Sequence, residues 1–474
     1  MMLFKISAQL ISVTSQIILA RLLVKEDFGI VAMAMVVVAL LDLMRAFGFD
    51  LALIQNQDAV SEHYNTAWTF NIIAASVIAL MLILLTPLSA DFYNDPRLSE
   101  IMPLLAVGVF ISGFENVGVV AFRKDLTFHK EFMYMLAKKV FAFVAVVGFA
   151  LYYRNYWALI YGFIITKIGV VILSYFIHSY KPWFSLSRFK ELFGFSAWLF
   201  INNLLTFINF KVPEIILGKL LGAGALGIFS VSKDITYSTS SALVIPINRA
   251  TFPGYSKLNN NIPALRESLL NTQSLIALLI IPASAGFSAI APVMVPVLLG
   301  PKWLESIAIM QILAYAGLIF SLANLTSIYL ALGKPRINTM ILIIRVIIFI
   351  PLLLYASIKY GLNGAAWSIL ITGVILLPIT YAPVIKFIDI GIKDLLSRIL
   401  RPIFATVVML LSVNYTYLEF IENKSHTYNI IELFLLVLTG TIVYIASMLA
   451  LWSFSGYPAG SEQHILRVIK NKLG

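Results

Sequence analysis

The sequence predicts an all-α membrane protein of about fourteen transmembrane helices, two parallel-related six-helix lobes followed by two C-terminal helices. Three observations predict it: a composition without a charged skin, a series of long apolar runs, and an internal repeat. Of 474 residues, 60% are apolar and only 12% are Asp, Glu, Lys or Arg. Soluble chains carry about 25% charged residues. A soluble fold of this length would lack the groups needed to solvate its surface.

A membrane crossing takes about 20 mostly apolar residues. The chain offers runs at 3–23, 28–55, 65–88, 98–121, 130–152, 157–178, 192–220, 223–247, 264–299, 303–331, 336–357, 362–388, 397–418 and 428–454. The first is read as a spanning helix and not a cleaved leader. Ser, Gln and Thr interrupt it and no small-x-small site follows. The connections are short, so no soluble domain of ordinary size fits between runs.

Lys and Arg set the orientation. With the N-terminus cytoplasmic, nineteen of them fall on the cytoplasmic side, eight on the other, and seven inside spans. Both termini are therefore expected in the cytoplasm, with a cytoplasmic tail after the last helix. Trp157, Trp303 and Trp367 are expected as anchors at outer ends, and Trp68, Trp183 and Trp452 at inner ends.

The repeat begins at the first turn. Residues 18–31 (ILARLLVKEDFGIV) align without gaps on 216–229 (ILGKLLGAGALGIF). Ile18, Leu19, Leu22, Leu23, Gly29 and Ile30 have identical counterparts, and Arg21 meets Lys219. Weaker echoes follow in the same order: AFRK (121–124) with ALGK (331–334), and NYWAL (155–159) with NGAAW (363–367). Six spans per repeat preserve orientation, which makes the lobes parallel. The expected division is 1–180 for the first lobe, 181–394 for the second, and 395–474 for two added helices and the tail. Paired parallel lobes point to a cleft and an alternating-access carrier.

With no cysteine, disulfides, thiolate metal sites and cysteine nucleophiles are excluded. The five histidines show no metal-ligand spacing and are expected at surfaces or interfaces. No catalytic residue, metal or cofactor is expected, and no nucleic-acid partner.

The charges inside spans carry the chemistry. Arg45, Lys138, Lys139, Lys167, Lys211, Lys233 and Arg345 lie there, each costing about 3 kcal/mol at mid-bilayer on the insertion scale. Most must face the interior, water or a partner. Asp42 with Arg45, and Lys211 with Glu214, are spaced three apart on one helical face; Lys233 adjoins Asp234; Asp50 ends span 2; Glu115 has no partner on its own helix. These pairs read either as internal ion pairs or as parts of a cationic aqueous cavity. A net charge of +11 extends into the spans and favours an anionic cargo. Arg21, Lys219 and Arg249 sit at helix ends, where snorkelling and substrate contact are both open. Pro213, Pro246, Pro253, Pro282, Pro292, Pro296 and Pro351 are expected to interrupt spans.

Several stretches together resemble a known family. They are LARLLVKEDFGIVAMAMV (19–36), ALIQ (52–55), AFRKDLTF (121–128), NYWAL, RFKELFGFSAW (188–198), ILGKLLGAGALGIFSVSKDI (216–235), FPGYSKL (252–258) and LALGKP (330–335). The chain is similar to the Wzx-type polysaccharide exporters of the multidrug/oligosaccharidyl-lipid/polysaccharide superfamily, in the colanic-acid and teichuronic-acid exporter group. That resemblance implies fourteen helices and flipping of a polyprenyl-diphosphate-linked oligosaccharide across the bacterial inner membrane. It implies cavity arginines for the diphosphate, with Arg21, Arg45 and Arg249 as counterparts. Many relatives have an Asp where this chain has Pro213, so that acidic role passes to Glu214.

The expected function is therefore that of a non-enzymatic flippase for cell-surface polysaccharide biosynthesis. Arg45, Arg21, Arg249, Lys211, Lys233 and Arg345 are the candidate substrate contacts. Asp42, Asp50, Glu115, Glu214 and Asp234 are candidates for coupling to H⁺ or Na⁺. The expected partners are the lipid-linked oligosaccharide, the bilayer, and polysaccharide polymerase and chain-length proteins. The alternatives are a multidrug exporter of the same superfamily and, with less support, a membrane glycosyltransferase or polymerase. The latter normally needs a DxD-like site or a large outer loop, and neither is present.

Overall fold

A computed structural model describes residues 2–45, 49–56, 58–193, 196–419 and 428–456. Among them are seventeen α-helices and no strand. Nine helices are long and apolar enough to cross a membrane, or ten if the pair Leu98–Ser112 and Val117–Lys124, bent by 68°, forms one span. Two of them are too long for one crossing: α11 (Ser196–Leu258) has 63 residues and α15 (Pro335–Ile388) has 54. At 1.5 Å per residue, α15 would run about 80 Å against a hydrocarbon core of about 30 Å. Each is broken at a glycine, Gly222 (φ 80°, ψ −178°) and Gly361 (φ 57°, ψ −140°), in backbone that only glycine adopts readily. The helical pattern is consistent with about fourteen crossings.

Breaks in the first six predicted spans recur in the next six. Helix α1 (Met2–Leu22) gives way to α2 (Lys25–Asp42), as α11 breaks at Gly222. Helices α3 (Phe49–Gln55) and α4 (Ser61–Leu84) follow. The step from α4 to α5 (Thr86–Tyr93) matches the π turn Val295–Leu299 at the end of α12 (Ile262–Met294). The bend from α6 (Leu98–Ser112) into α7 (Ala121–Lys124) matches the gap between α13 (Ser306–Leu322) and α14 (Thr326–Ala331). The turn from α8 (Phe128–Tyr153) to α9 (Trp157–Ile177), through Arg154 at φ 52°, matches Gly361. The prolines expected to break spans do less: Pro282, Pro292 and Pro351 sit inside continuous helix. Neighbouring helices can re-satisfy the backbone that a membrane proline frees.

The two aligned turns also touch. A side chain added at Gly29 would overlap the carbonyl of Ala223, and one at Gly227 the carbonyl of Lys25. In the alignment Gly29 corresponds to Gly227, and Lys25 to Ala223. The contact is therefore reciprocal, as expected of two copies crossing about a local two-fold axis. The backbones come this close because neither crossing residue has a Cβ.

The chain divides into two compact units, Met1–Val231 and Ser232–Gly474. In the first unit, Asn116 makes the α6–α7 bend affordable. Its side chain donates to the carbonyls of His178 (3.2 Å) and Tyr180 (2.7 Å) and accepts from Gly118 N (2.9 Å). Ser174 Oγ takes the Asn116 backbone N–H. The connection after α9 then runs back over α4: the N–H groups of Trp183, Ser185 and Arg188 donate to Asn65, Thr69 and Thr66. His63 Nε2 lies 3.0 Å from Glu191 on the short helix α10 (Phe189–Phe193). Hydrogen bonds from Arg188 and His63 hold the Glu191 carboxyl below the ordinary carboxylate range. His63 is thus buried and bonded, contrary to the surface or interface role expected of the histidines.

In the second unit, Tyr255, Leu265, Tyr329 and Val384 form one apolar core. The Tyr329 hydroxyl donates to the Thr380 carbonyl. The added helices α16 (Ile392–Tyr417) and α17 (Ile430–Phe454) dock on α12 through Leu278, Ala405 and Met448. Tyr444 Oη donates to the Leu278 carbonyl at 2.7 Å. Trp303 is fully buried and Trp68 is 7% exposed, so these two are core residues and not interfacial anchors. The tail beyond Gly456 lies outside the described residues.

Candidate functional site

A cavity of about 620 Å³ lies in the first unit, lined from α6, α7, α8 and α9. Its largest wall is a single face of α8: Glu131, Tyr134, Met135, Lys138, Lys139 and Ala142, at the three-and-four spacing that aligns side chains on a helix. Arg123 pairs with Glu131 at 2.6 Å near the α7–α8 connection. About two turns further along α8, Lys138 Nζ donates to Glu115 Oε1 at 2.8 Å, and Tyr134 Oη donates to the same oxygen at 2.5 Å. Glu115 therefore has its partners on α8, which no pattern within its own segment could show.

Two lysines of the lining make no ion pair among the described residues. Lys139 Nζ donates to Ser12 Oγ of α1 at 3.0 Å, and Lys167 on α9 lies over the Phe163 ring at 5.1 Å. Lys167 is within electrostatic reach of Asp42, Glu115, Arg45 and Lys138. The lining carries Arg123, Lys138, Lys139 and Lys167 against Glu115 and Glu131, an excess of positive charge. Sequence reading found the three lysines as intramembrane cations without nominating them. The signal available was the 131–142 face, apolar residues interleaved with charges at helical spacing.

The nominated residues fall in several places. Arg45 ends a 3₁₀ turn after α2. Its guanidinium donates to Ser112 Oγ at 2.9 Å and to the Val109 carbonyl at 3.4 Å, and lies 3.9 Å from Asp42. Ser112 lines the cavity, so Arg45 supports its wall. Lys211 meets Glu214 at 2.9 Å, with the Glu214 side chain buried and the lysine partly exposed. Arg21 is exposed at the end of α1. In the second unit, Lys233 is half-buried, Asp234 is exposed, and the Arg345 guanidinium lies over the Phe320 ring at 5.3 Å. The side chains of Asp50 and Arg249 lie outside the described residues. Asp42, Arg45 and Glu115 thus gather about one cavity, with lysines the nominations omitted. No grouping of three or more metal-ligating side chains occurs among the described residues.

The family described as "Polysaccharide biosynthesis protein" matches residues 18–308, more than half of the chain. The lipopolysaccharide biosynthesis protein WzxC of Escherichia coli K12 is 24% identical over 374 residues, covering 78% of this chain and 76% of that one. The teichuronic acid biosynthesis protein TuaB of Bacillus subtilis 168 is 24% identical over 374 residues, covering 76% of each. Among solved structures, an inward-closed lipid II flippase MurJ superposes with a TM-score of 0.77 at 15% identity, over 96% of this chain and 99% of that chain. An inward-facing multidrug resistance MATE transporter gives 0.62 at 14% identity, over 82% and 98%. At these identities the superpositions speak for the fold alone. This chain is a multi-pass α-helical membrane protein and belongs to the polysaccharide biosynthesis protein family.

Proposed function

We propose that the chain flips a polyprenyl-diphosphate-linked oligosaccharide from the cytoplasmic to the periplasmic leaflet of a bacterial inner membrane, for cell-surface polysaccharide biosynthesis. It is a transporter and not an enzyme. The observation that carries the reading is a cation-rich cavity on a membrane helix face in a chain of the polysaccharide biosynthesis family. The relatives WzxC and TuaB are named for the biosynthesis of lipopolysaccharide and teichuronic acid. MurJ, which shares the fold, is titled a lipid II flippase.

The mechanism is alternating access. Lobes 1–180 and 181–394 tilt against one another, with 395–474 as an added element. Intramembrane cations hold the diphosphate, Arg45, Lys211, Lys233 and Arg345 among them, with Arg21 and Arg249 at helix ends. Asp42, Asp50, Glu115, Glu214 and Asp234 supply the acidic groups for coupling to H⁺ or Na⁺. Both termini face the cytoplasm, as the distribution of Lys and Arg favours. Polymerase and chain-length proteins receive the cargo on the far side.

Charge separates this reading from a cation exporter of the same fold. A cavity that takes cations is better lined with carboxylates, whereas here lysine and arginine exceed them. The test is deletion in the native host. Lipid-linked oligosaccharide should accumulate in the cytoplasmic leaflet and surface polymer should be lost, with unchanged sensitivity to cationic dyes. Dye hypersensitivity with normal polymer would favour the multidrug reading.

A further inference from the structure

The charges on α8 are graded along the helix. The Arg123–Glu131 pair stands at one end of the cavity and Lys138–Glu115 lies in the middle. Lys139 and Lys167 line the same cavity without a carboxylate in ion-pair range among the described residues. The Thr166 hydroxyl also lines it, with its oxygen buried and without a hydrogen-bond partner. Two uncompensated ammonium groups and a free hydroxyl form a donor set lacking an acceptor, and phosphate oxygens are acceptors only. Beside them α8 exposes Met133, Val140, Phe141 and Val144, an apolar strip running away from the charged face. A free phosphate has no use for such a strip, whereas a lipid chain can lie along it.

We infer that this cavity is a headgroup site for a diphosphate-bearing lipid, in which Lys139 and Lys167 take the phosphate oxygens and the exposed strip of α8 carries the first part of the chain. As an assignment to the cargo it rests on the flippase reading above. Lys138 is committed to Glu115 and sets the depth of the site; Arg45, tied to Ser112 and Val109, stiffens its wall. The site lies within the first unit and uses side chains outside the nominated substrate contacts.

The experiment measures binding of farnesyl diphosphate to the full chain in detergent, beside inorganic pyrophosphate and phosphatidylglycerol. Lys139→Gln combined with Lys167→Gln should weaken farnesyl diphosphate at least about tenfold, the loss expected on removing two charge-assisted hydrogen bonds. Lys139→Arg with Lys167→Arg should retain it. Ala142→Phe keeps every charge but fills the cavity, and should also weaken binding. Pyrophosphate should bind more weakly than farnesyl diphosphate. Wild-type affinity in both the Gln pair and Ala142→Phe, with unchanged melting temperatures, overturns the site. Phosphatidylglycerol competing as well as farnesyl diphosphate overturns the cargo assignment in favour of bulk anionic lipid. The same proteins are reconstituted for lipid flipping. A wild type that flips, beside a Gln pair that binds and flips normally, sinks the site and leaves the transport reading standing. A wild type that binds at these lysines and flips nothing supports the site and sinks the transport reading.

Discussion

The turn after Leu22 and the turn at Gly222 occupy the same place in the repeat and are made in different ways. In the first, Val24 is extended (φ −97°, ψ 165°), which any residue tolerates. Asp27 holds that turn, accepting from Val24 N at 3.0 Å and Tyr156 N at 2.9 Å. In the second, Ala225 stands at the Asp27 position and offers no acceptor. There the chain turns on Gly222, at φ 80° and ψ −178°. Between the copies the turn chemistry has diverged, from a side-chain hydrogen bond to backbone freedom. Gly29 and Gly227 are common to both, because each sits against the other copy's backbone. Close approach thus constrains a residue more tightly than the need to turn, since a turn has several solutions and a backbone contact has one.

Substitutions can break this comparison, and their effects should be graded. The largest loss should follow Gly29→Leu or Gly227→Leu, because each side chain would overlap a carbonyl that cannot move aside. Overpacking costs about 1–3 kcal/mol or more, so both should sharply lower the melting temperature in detergent. Similar losses are expected from a reciprocal contact; one tolerated and one destructive substitution would refute the reciprocity.

Asp27→Ala should come next, since it strands the N–H groups of Val24 and Tyr156 at about 1–3 kcal/mol apiece where buried. Gly222→Ala should cost about 1–3 kcal/mol of backbone strain. Its equivalent Val24→Ala should cost well under about 1 kcal/mol, because Val24 already adopts an ordinary conformation. Equal losses at the two turn positions would mean that the turns are built alike.

A cysteine pair sharpens the comparison with the smallest perturbation. The chain has no native cysteine. A Cβ at Gly224 would lie 3.8 Å from Glu26 Cγ, so Glu26→Cys with Gly224→Cys is near disulfide range. Oxidation should cross-link the pair with little loss of stability and should stop transport until reductant is added, since alternating access requires these helix ends to part. Transport that continues when cross-linked would show that the contact does not open.

Much of this was legible in the sequence, for identifiable reasons. Apolar runs register because the bilayer demands length, so α8, α9, α16 and α17 appear close to their predicted bounds. The first turn of the repeat was visible because Gly29 and Gly227 have no substitute at their crossing. The Lys211–Glu214 pair was visible because both groups share one helix. The partner of Glu115 was not, since Lys138 and Tyr134 lie on another helix and inter-helix register is not written in either segment. For the same reason Lys139 and Lys167 read as isolated charges until packing brought them to one cavity. Proline was overweighted and glycine underweighted: Pro282 and Pro351 lie in continuous helix while Gly222 and Gly361 carry the breaks.

The most direct measurement is leaflet translocation of a polyprenyl-diphosphate oligosaccharide in proteoliposomes containing this chain, with a cationic dye as a parallel cargo. Protein-dependent flipping of the lipid without dye transport is the predicted result. Dye transport without lipid flipping would contradict it.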